Sequence, residues 1–236
     1  MSSAAPAVLI MARAPRRGQV RRALEPALGQ EGCLELHRAL IATAARWAHE
    51  AAPEGVYVAH EPADAGPELQ PLVGESVVFP QSGEGIAARV ADAAGRVFAK
   101  RTGPLLIVWP ELPAFRSEHA AGALGDLGAG CDVVLGPVID GGLYLLGIPS
   151  LLAKLFALPE EAWRSSDVMV LAIAAARDAG LEIGVLRAER AIQQPADVPA
   201  ALADPLLPKG IAALLSGRSS RSEGQKALDI WRKRLF

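Results

Sequence analysis

Apolar positions along this chain follow two patterns: short unbroken runs, and longer stripes at spacings of three and four. The runs are Val8 to Met11, Val56 to Ala59, Ser76 to Phe79, Leu105 to Trp109, Asp132 to Leu135, Leu143 to Ile148 and Glu182 to Leu186. Runs of that length predict strands buried on both faces. Between them, Cys33, Leu36, Leu40, Ala44 and Trp47 make one stripe and predict a helix over Gln30–Ala52, ended by Pro53 and Gly55. Ile86, Val90, Ala93 and Val97 predict a second helix over Ile86–Lys100, and further helices are expected at Ser117–Leu127 and Ser166–Ala179. Glu61 to Gly74 reads as a polar, Pro-rich connection, and Pro80 to Gly85 as a turn. Strands alternating with helices imply βαβ units, right-handed crossovers and a mainly parallel sheet covered on both faces. The expected class is therefore α/β, with a small antiparallel extension where Asp140-Gly141-Gly142 turns into Leu143–Ile148.

In such sheets ligands bind outside the carboxyl ends of the strands. The residues following four runs are Ala12-Arg13, Pro80-Gln81, Pro110-Glu111 and Gly136-Pro137, so turns and charge collect on one edge. The first run also opens into a loop with Arg13, Arg16, Arg17, Arg21 and Arg22, five guanidiniums in ten residues with no acid before Glu25. Arginine's planar fork matches phosphate oxygens, so this loop is a candidate phosphate or diphosphate site. A solvated basic loop paired with acidic helices is the competing reading.

Composition narrows the classes. With 236 residues, 51% hydrophobic, 21% charged and a net charge of −2, the chain has the makeup of a soluble globular protein with a substantial core. The basic loop is local, and nothing suggests nucleic-acid binding. Cys33 and Cys131 are too isolated for a disulfide framework or metal cluster, and a reducing cytoplasm is expected. The first apolar run is too short for a signal peptide, and Leu143–Leu158 is broken by Gly147, Pro149 and Lys154, so no membrane span is expected. His37, His49, His60 and His119 lack metal-ligand spacing, and surface or helix-face roles are expected for them. Neither a P-loop nor a nucleophile elbow is present.

Four motifs in order carry a family resemblance: MARAP at Met11–Pro15, PALG at Pro26–Gly29, Gln81-x-Gly83 with Arg89, and DVVLGPVIDGGLYLLG from Asp132 to Gly147. Over Val8 to Val198 the chain resembles bacterial glycosyltransferases of GT-A type, the selenodomain-associated transferases. These are relatives of the nucleotide-diphospho-sugar transferases and of phospholactate guanylyltransferase. The resemblance implies a GT-A-like, Rossmann-like domain, expected over residues 1–205; beyond it a helical tail over 206–236 is expected to pack on the same domain, its Leu228, Trp231 and Leu235 spaced as a docking stripe. It implies that Ala12, Arg13, Pro15, Arg21, Arg22, Gln81, Gly83 and Arg89 hold a nucleotide and its phosphates. Asp140 and Arg21 would serve catalysis, with Gly141 and Gly142 on the sugar or acceptor side. The implied ligand is a small nucleotide or sugar nucleotide, and the implied reaction is glycosyl transfer. Nucleotidyl transfer and a non-catalytic nucleotide-binding role are the alternatives, and a plain hairpin turn is the alternative at Asp140-Gly141-Gly142.

The chain departs from that family at its charged positions. Where the family has Lys-Thr-Arg-Leu, this chain has Arg21-Arg22-Ala23-Leu24. Where the family has Gly-Ser-Asp, with the Asp helping to hold a divalent ion, it has Trp109-Pro110-Glu111. Where the family has Asp-Val-Asp, it has Ala191-Ile192-Gln193. The expectation is a Mg²⁺ or Mn²⁺ site at Glu111 that is weak or not required, with arginines taking over part of the charge.

Overall fold

In a computed structural model, which describes residues 4–152, 158–163 and 165–217, seven strands form one sheet. The strands are β1 (Ala7–Arg13), β2 (Val56–Glu61), β3 (Val77–Pro80), β4 (Leu105–Val108), β5 (Val133–Pro137), β6 (Leu143–Ile148) and β7 (Ile183–Val185). Their order is β3-β2-β1-β4-β6-β5-β7. β1 pairs in parallel with both β2 and β4, with Val8 opposite Val56 and Leu106. The antiparallel element is β6, which lies inside the sheet between β4 and β5.

The uninterrupted apolar runs of β1, β4, β5 and β6 are explained by cover on both faces, whereas the edge strands β3 and β7 depart from that expectation, with Val77 46% and Val185 52% exposed. Val8, Ile10 and Ala12 of β1 enter one core, whereas Ala7, Leu9 and Met11 enter the other. The first core packs against α1 (Glu25–Ala51), α2 (Gly66–Val73) and α4 (Ser117–Gly128). The second packs against α3 (Gly85–Phe98) and α6 (Val168–Asp178). A short α5 (Glu160–Trp163) precedes α6, and α7 (Asp197–Leu202) and α8 (Lys209–Leu215) close the described chain. Ile211 and Leu215 of α8 pack with Leu24, Cys33, Leu36 and Leu40 in a third, smaller cluster. The expected stripe of Leu228, Trp231 and Leu235 lies outside the described residues.

One expectation holds with an added turn before it, and one needs correction. The long helix is broken at Gly29, whose φ of 65° and ψ of 169° are non-helical, so its continuous part begins at Gln30 as expected but a preceding turn was missed. The connection from Glu61 to Gly74 contains α2. Pro67 sits at the start of this helix, where no amide hydrogen bond is lost, and Pro71 lies inside it. Two prolines in eight residues had masked it.

After β1 the chain moves outward to β2 and β3, then crosses back to place β4 on the other side of β1. That reversal separates the β1 and β4 loops and opens a crevice at the carboxyl edge. Among the described residues no helix is long and apolar enough to cross a membrane.

Candidate functional site

The crevice at this switch point has a cavity of about 600 Å³. Its walls come from the ends of β1 (Ala12, Arg13), β2 (Glu61) and β4 (Trp109, Pro110, Glu111), from Gln81 after β3, and from Arg89 on α3. Arg21, Arg22, Gln193 and His37 complete it. A second hollow of about 460 Å³ shares Trp109, Glu111 and Gln193 with it and extends to Asp140, Gly142 and Trp163. Of the residues proposed from sequence, Ala12, Arg13, Arg21, Arg22, Gln81, Arg89 and Glu111 meet in the first lobe. Asp140 and Gly142 meet Glu111 in the second.

Pro15 and Gly83 line neither lobe. Pro15 is buried beneath the β1 loop. Gly83, at φ 115°, turns the chain towards α3, and a Cβ there would lie 2.9 Å from that of Ala88. Its role here is conformational.

The five loop arginines divide. Arg16 bonds Glu68 at 2.6 Å and pairs with Asp64 at 2.9 Å, and Arg17 faces Glu31 at 3.6 Å, so both follow the solvated reading. Arg13 and Arg89 grip the two oxygens of Glu61, at 2.6 and 2.8 Å. Arg22 is exposed and has no ion pair or hydrogen-bonded side-chain partner among the described residues. It is the unengaged guanidinium at the crevice mouth.

Arg21 is different again. It is the one non-glycine residue with positive φ among those described, at 52°. This conformation costs roughly 1–2 kcal/mol and must be held by other contacts. Its guanidinium donates to the carbonyls of Pro110 at 2.6 Å and Ile192 at 3.0 Å. Desolvation lowers its pKa, and Glu111 opposes that shift. Arg21 thus ties the β4 loop to the 191–193 segment and leaves little of its fork for a ligand.

Glu111 accepts a hydrogen bond from the Gln193 amide at 2.6 Å. Burial raises its pKa, Asp140 adds to the rise, and Arg21 and Gln193 oppose it. Gln193 is held in turn by Asp197, whose Oδ2 accepts the amides of Gln193 at 3.0 Å and Gln194 at 2.8 Å. Of the two positions read as lost carboxylates, only Gln193 faces Glu111. Ala191 is 3% exposed and belongs to the main core. Among the described residues no three His, Cys, Asp or Glu side chains converge.

Gln81 commits its amide nitrogen to the carbonyls of Ala59 at 3.0 Å and Ala12 at 3.3 Å, leaving its oxygen as an acceptor. Asp140-Gly141-Gly142 is a hairpin turn, of which Asp140 and Gly142 wall the second lobe while Gly141 lines neither. Val138 donates to the Gly142 carbonyl at 2.8 Å, and Asp140 is exposed on the second lobe. Gly141 has φ 97°, and a Cβ there would collide with the Ser166 carbonyl, so glycine is required. At the approach to α6, Ser165 accepts the Asp167 amide at 3.1 Å.

His37 is a site residue that sequence reasoning missed. It occupies the sheet-facing stripe of α1, four residues before buried Ile41, where an apolar residue is expected. Its Nε2 lies 3.0 Å from the Arg13 carbonyl and must carry the hydrogen, and Nδ1 is buried without a partner. Burial, with Arg21 nearby, lowers its pKa to about 4 from 6.5. The unfolded chain therefore takes up this proton first as pH falls, so stability declines with acidity. Between pH 7 and pH 5 this residue should account for a loss of about 2 kcal/mol. Urea unfolding at several pH values checks this: the slope should flatten in His37→Gln, and an unchanged slope would reject it.

A comparison with curated proteins finds none that matches this sequence. Among solved structures, the chain is similar to a Desulfovibrio desulfuricans G20 protein provisionally described as a nucleotide-diphospho-sugar transferase. The TM-score is 0.76 at 20% identity, over 90% of this chain and 94% of the other. It is also similar to 4-diphosphocytidyl-2C-methyl-D-erythritol synthase, with a TM-score of 0.55 at 15% identity over 85% and 97% of the two chains. A cytidylyltransferase from Leptospira borgpetersenii serovar Hardjo-bovis (strain JB197) has a TM-score of 0.55 at 13% identity over 97% and 95%. At these identities the shared feature is the fold. The profile of DUF2064, described as an uncharacterized protein conserved in bacteria, matches residues 35–160, more than half of the sequence. The chain therefore belongs to the DUF2064 family and has the nucleotide-diphospho-sugar transferase-like fold.

Proposed function

We propose that this protein is a transferase that uses a nucleotide-diphospho-sugar, bound in the arginine-lined lobe, and passes the sugar to an acceptor in the second lobe. The observation that carries this reading is the meeting of Arg13, Arg22 and Arg89 with Gln81 in one crevice at the sheet's switch point. The guanidiniums suit the two phosphates, and the Gln81 oxygen suits a donor group on the base or ribose. In the transfer, a bond forms between an acceptor oxygen and the sugar's anomeric carbon. The bond from that carbon to the diphosphate oxygen breaks, and its electron pair leaves with the diphosphate. Arg22 and Arg13 stabilise the departing charge, and Asp140, on the second lobe, takes the acceptor proton. Arg21 is a positioning residue, because its fork is spent on Pro110 and Ile192.

A protein-held divalent ion does not suit the donors present. Glu111 already receives the Gln193 amide, Arg21 lies against it, and the second carboxylate of the family pattern has no counterpart facing it. The site is accordingly read as working through guanidinium charge. Thermal shift against nucleoside diphosphates and sugar nucleotides, with EDTA or Mn²⁺, tests this. A ligand at 100 times its Kd adds about 2.7 kcal/mol, or roughly 5–10 °C in a chain of this size. The shift should persist in EDTA, and a shift that appears only with Mn²⁺ would overturn the metal-free reading. Gln193→Asp should create Mn²⁺-dependent stabilisation absent from the parent, by placing a second carboxylate beside Glu111. The released product separates the reaction classes: a nucleoside diphosphate means glycosyl transfer, whereas pyrophosphate would replace that reading with nucleotidyl transfer.

A further inference from the structure

The two lobes of the crevice differ in chemistry. The first carries Arg13, Arg21, Arg22 and Arg89 against Glu61 and Glu111. The second is walled by Trp109, Trp163, Leu143 and Val168, with Glu111 and Asp140 as its charged members and no cation among its described lining residues. The indole rings lie 6.4 Å apart between centroids and are tilted by 42°, so they are not stacked on each other. Asp140 has one oxygen 3.3 Å from the Gly142 amide, which leaves the other for a ligand. Ser165, by contrast, is spent locally, since its hydroxyl donates to the Ala162 carbonyl and accepts from Asp167.

Two indoles and two carboxylates make a specific kind of receptor. Indole faces bind the apolar faces of saturated rings and attract cations. Carboxylates accept hydrogen bonds from hydroxyl and ammonium groups and repel anions. A phosphate or carboxylate about 6 Å from such a carboxylate, at an effective dielectric near 20, is disfavoured on the order of 100-fold. We propose that the lobe between Trp109, Trp163, Glu111 and Asp140 is the acceptor site, shaped for a cyclic polyol or amino sugar bearing no phosphate or carboxylate. The inference rests on reading the neighbouring lobe as the donor site. It adds a charge rule for the acceptor: cationic walls take the phosphorylated partner, and anionic aromatic walls take the unphosphorylated one.

A matched pair of probes tests the rule. D-glucosamine and D-glucosamine 6-phosphate share a ring and an ammonium group and differ in one phosphate. Each is titrated into the whole chain while tryptophan fluorescence is followed, with excess inorganic pyrophosphate present to fill the arginine lobe. Glucosamine should bind at least 10-fold more tightly than its 6-phosphate. Asp140→Asn, a change in an exposed turn, should reduce that ratio to threefold or less, and Trp163→Ala should remove the response. Equal or tighter binding of the 6-phosphate overturns the proposal. So does the absence of a saturable response to either sugar while nucleoside diphosphates still raise the melting temperature. Failure of the donor reading appears separately, as a missing nucleoside diphosphate shift whatever the sugars do.

Discussion

Arg21→Ala should lower the melting temperature by roughly 10 °C and weaken nucleotide binding, although the guanidinium touches no ligand in our proposal. The side chain joins two loops through the Pro110 and Ile192 carbonyls and faces the half-buried Glu111. Hydrogen bonds from a charged donor contribute about 1.5–3 kcal/mol each, and partial exposure places this site towards the lower end. Adding the exposed carbonyls and a carboxylate left without its cation gives a loss of about 4 kcal/mol, which corresponds to about 10 °C for a chain of this length. Lysine should restore less than half of it, because one ammonium cannot span both carbonyls as a fork does. Combining Arg21→Ala with Glu111→Gln should recover about 1–2 kcal/mol by removing the stranded carboxylate. Differential scanning calorimetry reads all three, and a fall below 2 °C for Arg21→Ala would mean that the tie between loops is not structural.

Arg22→Glu should have the opposite profile. The side chain is exposed and has no ion-pair partner among the described residues, so thermal stability should stay within about 0.5 kcal/mol of the parent. Nucleoside diphosphate affinity should drop on the order of 100- to 1,000-fold, because a charge-assisted contact is lost and a repulsive one replaces it. Arg22→Ala should cost about 10- to 30-fold, and its affinity should depend less on salt than that of the parent. Titration calorimetry with a nucleoside diphosphate measures each. Affinity within threefold of the parent in Arg22→Glu would place the phosphates elsewhere.

These two neighbours show what could be read from sequence. That arginines gather beside the first strand followed from their position after an apolar run, and the switch point beside β1 gives Arg13, Arg21 and Arg22 a shared hollow with Gln81 and Glu111. Which arginines face the hollow, and which of those stays unengaged, was not legible, because it depends on one left-handed residue and on acids brought in by α1 and α2. Gln193 could be set opposite Glu111 by family pattern, and the 2.6 Å hydrogen bond agrees. Ala191 could not be assigned from the same pattern, because regular extended chain would put residues 191 and 193 on one face, whereas the chain here is irregular and turns Ala191 into the core. The helix α2 was hidden by its prolines, and His37 by its scattered company of histidines. The signal for His37 was a polar residue on a stripe where apolar neighbours repeat at three and four.

Glu61, held by Arg13 on one oxygen and Arg89 on the other, has a consequence for how anions compete at the crevice. Both guanidiniums are already satisfied by an internal anion, so an incoming ion must replace bonds of similar strength before it gains anything. Inorganic phosphate, small and abundant, offers too little in exchange to displace it. On the proposed reading, a diphosphate compound engages Arg22 first, adds contacts along the rest of the crevice, and so clears a threshold that a single phosphate does not. In the proposed function the tethered glutamate is a resident competitor, and without a ligand it keeps the basic wall in place.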